Sequence, residues 1–278
     1  MPEPAPGGAG RALRFGTATL GAQRVRYALG GSAAATRTLL LFNGIGANVE
    51  TMAAFMSHFE HTRVLAFDAP GVGESPAPLL PYRLRDLARL AARLLDHLKI
   101  ERADVFGVSW GGAAAQEFAI RHPQRIRTLT LAATSAGFVM VPGRPSVLLK
   151  LLSPRRYIDP AFLLRAGGQL YGGVLRVEHD LLRVHARAMR GPSQRGYLYQ
   201  LLAIWGWTSW HRLHRVHAPT LLLMGDDDPI VPPINGRIVA ARLRDVRLES
   251  VTCGHLFVFT RAGETAQRVE RFLGAHPA

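Results

Sequence analysis

Buried-strand runs and helical stripes alternate along the first half of the chain. "LRFGTATL" and "QRVRYAL" read as two strands around Gly21, a hairpin. "TRTLLLFN" is a continuous apolar run of the kind that forms a parallel strand covered on both faces. A glycine-containing loop leads from it to the helical "VETMAAFMSHF". "TRVLAFD" is the next strand, followed by the turn-rich "APGVGESPAP" and then "YRLRDLARLAARLLDHLK". In that segment Leu84, Leu87, Ala91, Leu94 and Leu98 form one helical stripe, which leaves Arg85, Arg89 and Arg93 to face water. "ADVFGV", a helix ending at His122 and "IRTLTLAAT" complete the series. Strand and helix repeated in this way predict an α/β fold, a mostly parallel central sheet with helices on both faces.

The alternation stops at about Ser135. From there to His217 the chain reads as loops and helices without buried strand runs, including "VPGRPSVLLKLLSPRRY" and "QLLAIWGWTSWHRLHRV". A stretch this far beyond ordinary loop length predicts a packed, inserted helical cap. Strands resume at "APTLLLMG" and "RLESVT", with a helix between them and a last helix in "GETAQRVERFLGAH". The expected division is a flexible, Pro/Gly-rich N-terminus at 1–10 and the first part of the core at 11–134. The cap (lid) follows at 135–217, and the second part of the core at 218–278.

Composition narrows the function classes. The 278 residues are 48% hydrophobic, enough for one large core. No apolar run approaches the roughly 20 residues of a spanning helix. "MPEPAPGGAG" lacks the basic start and apolar stretch of a signal peptide, so the expected location is the cytoplasm. Cys253 is the single cysteine, which excludes an intrachain disulfide and a cysteine-based metal site. The net charge of +14 raises the question of nucleic acid. Lys99 and Lys150 are the only lysines, and the arginines are dispersed without a basic block or nucleic-acid motif. They read as solvated faces, and they leave room for an acidic partner.

The candidate chemistry lies at the end of "ADVFGV". Gly107-Val108-Ser109-Trp110-Gly111 fits G-x-S-x-G in the strand-turn-helix context that a nucleophile elbow requires. A turn this tight has no room for side chains at the two glycine positions, and it pushes the serine hydroxyl into the cleft at the sheet's carboxyl edge. A serine needs a base to take its proton and a carboxylate to orient that base, in the chain order Ser, acid, His on this fold. "LLLMGDDDPIVP" supplies the carboxylates just past a strand, and "VTCGHLFVF" supplies His255 in a Gly-flanked loop after the last strand. Asp226, Asp227 and Asp228 are consecutive, so their side chains cannot all point one way. Asp228 is preferred because Pro229 fixes the loop after it. The oxyanion donors are expected to be the backbone N–H groups of Trp110, next to the nucleophile, and of Ile45 in "FNGIGAN". Asn43 in that loop can hold its shape. Asp68-Ala69-Pro70-Gly71-Val72-Gly73-Glu74-Ser75 matches neither the P-loop nor the dinucleotide fingerprint and reads as a structural turn beside the site. No metal or cofactor is called for.

With these parts in place the chain resembles the α/β-hydrolase superfamily. "LFNGIGAN", "FDAPGVGES", "GVSWGGAAAQEFA", "LAATSAGFVMVPGRPSVL", "SPRRY", "YGG", "GWTSW", "GDDDPIVPPIN" and "GHLFVFTRA" look like the intracellular depolymerases of medium-chain-length poly(3-hydroxyalkanoates). The resemblance runs from about Leu39 to Ala262 and includes the inserted segment. It implies hydrolysis of a storage polyester through Ser109 with Asp228 and His255. It also implies a place on or near cytoplasmic polymer granules, among granule-associated proteins. Polyhydroxyalkanoate synthases resemble a version with cysteine at the elbow; here the residue is Ser109, which favours hydrolysis. Thr252-Cys253 stands before Gly254-His255 where acidic or polar residues are expected. Trp205, Trp207 and Trp210 of the inserted segment, with Tyr171, Tyr197 and Tyr199, are candidates either for its own core or for a substrate channel. The alternative function is a general carboxylesterase of the same fold acting on small soluble esters. A non-catalytic granule scaffold is less favoured, because it has no need of the Ser, Asp, His order.

Overall fold

In the computed structural model, which describes residues 13–152, 155 and 159–277, eight strands join in one sheet. They are β1 (Arg14–Leu20), β2 (Gln23–Gly31), β3 (Thr38–Phe42), β4 (Arg63–Phe67), β5 (Ala103–Val108), β6 (Ile126–Ala132), β7 (Thr220–Gly225) and β8 (Val246–Val251), in the order β1-β2-β4-β3-β5-β6-β7-β8. The β1–β2 hairpin is antiparallel and joins β4 antiparallel; every other pairing is parallel. The expected N-terminal stretch at 1–10 and most of "SPRRY" lie outside the described residues.

The helices of the sheet domain are α1 (Ala53–Ser57), α2 (Leu84–His97) and α3 (Trp110–Arg121), with α8 (Ile234–Ala240), α9 (Phe257–Thr260) and α10 (Ala262–Gly274) later in the chain. Between β6 and β7 run α4 (Pro145–Leu152), α5 (Pro160–Tyr171), α6 (His179–Ala188) and α7 (Gln194–Ile204).

Period-two alternation divides each parallel strand between two cores. Leu40, Phe42, Val105, Leu129 and Leu131 face α2 and α3, whereas Leu39, Leu41, Phe106, Ala132 and Leu221 face α1, α9 and α10. Strands buried on both faces need apolar residues at every position, which is why β3, β5 and β7 are buried throughout. The α2 stripe lies as its spacing predicts, with Leu84, Leu87, Ala91 and Leu94 buried and Arg85, Arg89 and Arg93 exposed. A third apolar cluster joins α4, α5 and α6, through Val147, Leu163, Leu170 and Leu182, to Ile230 and Val231 beyond β7. The β6–β7 connection therefore has a core of its own that is continuous with the loop at the sheet's carboxyl edge. Among the described residues no helix is long and apolar enough to cross a membrane.

Candidate active site

Ser109 sits between β5 and α3 with φ 55° and ψ −120°, a left-handed backbone that a side-chain-bearing residue adopts only under constraint. Close packing supplies the constraint. A β-carbon on Gly107 would fall 2.5 Å from both Ala115 Cβ and Gly111 O, and one on Gly111 would fall 2.2 Å from Phe42 O. Helix α3 thus presses onto β5 and β3, and the turn between them has to be sharp.

The turn brings Ser109 Oγ to 3.0 Å from His255 Nε2, across 146 residues of sequence. His255 Nδ1 lies 2.7 Å from Asp228 Oδ2, and both side chains are almost fully buried. Asp228 is itself fixed, because its other oxygen accepts from the backbone N–H groups of Ile230 (2.8 Å) and Val231 (2.9 Å). The remaining aspartates are turned to other tasks. Asp226 Oδ1 accepts from Cys253 N at 3.0 Å, which ties the β7 loop to the histidine loop. Asp227 faces outward: Oδ2 accepts from Gly173 N (2.7 Å) and Arg176 Nε (2.8 Å), and Oδ1 from Arg176 Nη2 (2.9 Å). The Arg176 guanidinium holds the Asp227 carboxyl below its ordinary range.

The histidine loop is also held from the other side. His255 N donates to Tyr171 O at 2.7 Å, and a β-carbon on Gly173 would fall 2.1 Å from Gly254 N. The "YGG" stretch at the end of α5 is therefore a backbone-to-backbone seat for the loop that carries His255.

Around Ser109, the loop expected to supply an oxyanion donor follows β3. Gly44 of that loop, the residue before Ile45, lies in ordinary contact range of the serine: a β-carbon on it would be 3.9 Å from Ser109 Cβ. Trp110 is the first residue of α3, where helix geometry leaves the N–H without an intrahelical acceptor. Asn43 shapes the loop: Oδ1 accepts from Gly44 N (2.8 Å), and Nδ2 donates to Asn48 O (2.9 Å) and Thr51 Oγ1 (3.0 Å).

Gln200 on α7 escaped the sequence reading. Its buried Oε1 accepts from Gly46 N at 2.8 Å, and its backbone O accepts from Trp110 Nε1 at 3.0 Å. One residue of the β6–β7 connection thus grips both sides of the expected oxyanion site. Nothing local marks it, since its partners are 154 and 90 residues away. Asn48 makes a second tie, accepting from Arg190 N at 3.0 Å. Asp68 supports the same region, its carboxylate accepting from Val49 N (2.8 Å) and Glu74 N (3.2 Å); burial raises its pKa against those bonds.

The tryptophans are directed elsewhere. Trp207 Nε1 donates to Glu117 Oε2 at 3.0 Å, roughly two turns of α3 beyond Ser109. The Trp210 ring lies under the Arg242 guanidinium at 5.1 Å, and Trp205 is exposed. Tyr197 and Tyr199 are buried, with hydroxyls donating to Leu151 O (2.5 Å) and Leu79 O (3.0 Å).

Residues 37–262 match the family described as alpha/beta hydrolase fold. The chain belongs to the α/β-hydrolase family. It is 46% identical over 260 residues to the poly(3-hydroxyalkanoate) depolymerase of Ectopseudomonas oleovorans, a match that covers 93% of this chain and 92% of that protein. It is 26% identical to 3-oxoadipate enol-lactonase 2 of Acinetobacter baylyi, over 86% of this chain and 89% of the lactonase. The crystal structure of the enol-lactonase from Burkholderia xenovorans LB400 superposes with a TM-score of 0.81 at 25% identity, covering 93% of this chain and all (100%) of that one. Within the α/β-hydrolase family the depolymerase is thus similar along nearly its whole length, including the β6–β7 connection.

Proposed function

We propose that the chain is a serine esterase that hydrolyses medium-chain-length poly(3-hydroxyalkanoate) through an acyl-enzyme on Ser109. The hydrogen-bonded line from Ser109 through His255 to Asp228 is the observation that carries the chemistry. Similarity to the depolymerase supports the substrate.

In the first half-reaction Ser109 Oγ attacks the ester carbonyl carbon while His255 Nε2 takes the hydroxyl proton. Asp228, anchored by Ile230 and Val231, holds the Nδ1–H and stabilises the imidazolium that forms. Negative charge on the former carbonyl oxygen is met by the N–H groups of Ile45 and Trp110. Collapse breaks the ester C–O bond, and the departing alkoxide takes the proton from Nε2. In the second half-reaction water gives a proton to Nε2 and attacks the acyl carbon. The hydroxyacid leaves, and Ser109 recovers its proton.

Segment 135–217 acts as the cap (lid) of this site, and 11–134 with 218–278 form the catalytic core. The protein works in the cytoplasm, at the surface of polymer granules.

The test is release of soluble 3-hydroxyacids from an emulsion of medium-chain polyhydroxyalkanoate, with Ser109→Ala and a short-chain polymer alongside. Clearing of the medium-chain emulsion by the wild type but not the variant is the expected result. If neither polymer is touched while a soluble p-nitrophenyl ester is cleaved, the substrate assignment falls and the general carboxylesterase reading replaces it.

A further inference from the structure

On the outer side of the β6–β7 connection, α7 presents an apolar stripe to water. Leu198 and Leu202 recur at i and i+4 and share one helix face, and Trp205, the residue that caps the helix's C-terminus, is 81% exposed. Beside them the loop before α2 carries Leu79 and Leu80, 87% and 76% exposed. Three hydrogen bonds hold loop and helix together: Tyr199 Oη to Leu79 O (3.0 Å), Arg83 Nη1 to Leu202 O (2.9 Å) and Arg195 Nη2 to Ala77 O (3.3 Å). These bonds hold the five apolar side chains on adjoining stretches of the surface, and a contiguous apolar patch is the kind of surface that marks an interaction site.

Cations rim the patch. Arg83 and Arg195 lie within it through the bonds just given. Next to Trp205 opens a cleft of about 480 Å³ lined by Arg83, Arg85, Arg121 and Arg212. Among the described residues Glu117 is the one carboxylate in its lining, and it is already engaged by Arg121, Arg212 and Trp207. Four guanidinium groups against one carboxylate leave the cleft strongly positive. A neutral polymer would cover the leucines and leave the arginines unmatched. A second copy of the chain, also carrying +14, would repel. An anionic amphiphile surface matches both features at once, with acyl chains against Leu79, Leu80, Leu198, Leu202 and Trp205 and headgroups against the arginines.

We infer that this face docks the protein onto an anionic phospholipid surface. The docking site lies outside the Ser109 machinery and does not depend on which ester that machinery cleaves.

Cosedimentation of the full chain with vesicles of phosphatidylglycerol, and separately of phosphatidylcholine, tests it. Binding to phosphatidylglycerol vesicles and not to phosphatidylcholine is expected, and about 0.5 M salt weakens it. Leu79→Ser/Leu80→Ser weakens binding by roughly tenfold or more, as two apolar contacts are lost. Arg85→Glu weakens it by roughly tenfold, as a cation becomes an anion at the surface. Both variants alter exposed positions and keep the wild-type melting temperature and turnover of a soluble p-nitrophenyl ester. Equal binding to both vesicle types, undiminished binding by both variants, or adsorption to a neutral polyester emulsion without any to vesicles would each overturn the inference.

Discussion

Three neighbouring aspartates share a charge and a loop, yet each has a different neighbour. Asp228 faces His255 at 2.7 Å, while Asp227 faces Arg176 and Gly173. Asp228→Asn is expected to lower kcat by about four orders of magnitude, because the amide disfavours the tautomer that leaves Nε2 free as a base. Asp227→Asn leaves kcat within about threefold, since Arg176 and Gly173 lie outside the proton path. Steady-state kinetics on one soluble ester compares them, and a larger loss in the Asp227 variant would reverse the assignment. Gln200 is a positioning residue rather than a catalytic one. Removing its grip on Gly46 N in Gln200→Leu is expected to lower kcat by about 10- to 100-fold with KM nearly unchanged, the signature of an interaction felt in the transition state. Gln200→Glu keeps an acceptor at that place and restores part of kcat. A rise in KM at constant kcat would instead make Gln200 a ground-state binding residue.

Elements meet at this site through bare backbone. A β-carbon on Gly196, in the first turn of α7, would fall 2.1 Å from Gly71 O, so α7 rests directly on the loop after β4. Ser193 N donates to the same Gly71 O at 3.1 Å. Gly196→Ala must push α7 away from that loop, which costs about 1–3 kcal/mol of overpacking and lowers the melting temperature by several degrees. Because α7 carries Gln200, the same change is expected to lower kcat. Calorimetry and kinetics on one preparation check the pair of effects, and a loss of stability with full activity would separate α7's seat from the loop that Gln200 holds at Gly46. The glycine pattern of "DAPGVGES" was visible in the sequence as a turn. Its partner Gly196 was not, since close approach of two backbones 125 positions apart leaves no local periodicity.

At the scale of the molecule the β6–β7 connection is pinned to the sheet domain by polar ties spread around its edge. Glu117 of α3 is a buried one, bonded by Arg212, Arg121 and Trp207. Burial opposes its ionisation, but those hydrogen bonds prevail, and its pKa lies below the ordinary 4.5. A lowered carboxyl contributes stability above its unfolded pKa, and that contribution is lost as pH falls through the folded value. Glu117→Gln is therefore expected to be less stable than wild type at neutral pH by about 1–2 kcal/mol, because charge-assisted hydrogen bonds from the partly exposed Arg212 and Arg121 are weakened. The gap narrows as pH drops from about 4.5 downward, as the wild-type carboxyl protonates. Denaturant titrations across that window measure it. A pH-independent difference would mean that packing, not charge, holds the tie.

The strands, the α2 stripe and the elbow at Ser109 were legible in the chain because each depends on residues a few positions apart, and the order Ser109, Asp228, His255 followed from the fold they imply. A strand covered on both faces must be apolar throughout, a helix must repeat its apolar face every turn, and a sharp strand-helix turn must have glycine at its flanks. The Trp205, Trp207 and Trp210 directions, the role of Gln200 and the separate orientations of Asp226, Asp227 and Asp228 were settled only by tertiary packing. Composition marks an aromatic or an acidic cluster but not the neighbour it turns toward. That choice is made by contacts such as Trp207 with Glu117 and Gly46 with Gln200, 90 and 154 positions apart, which form only once the β6–β7 connection lies over the sheet's carboxyl edge.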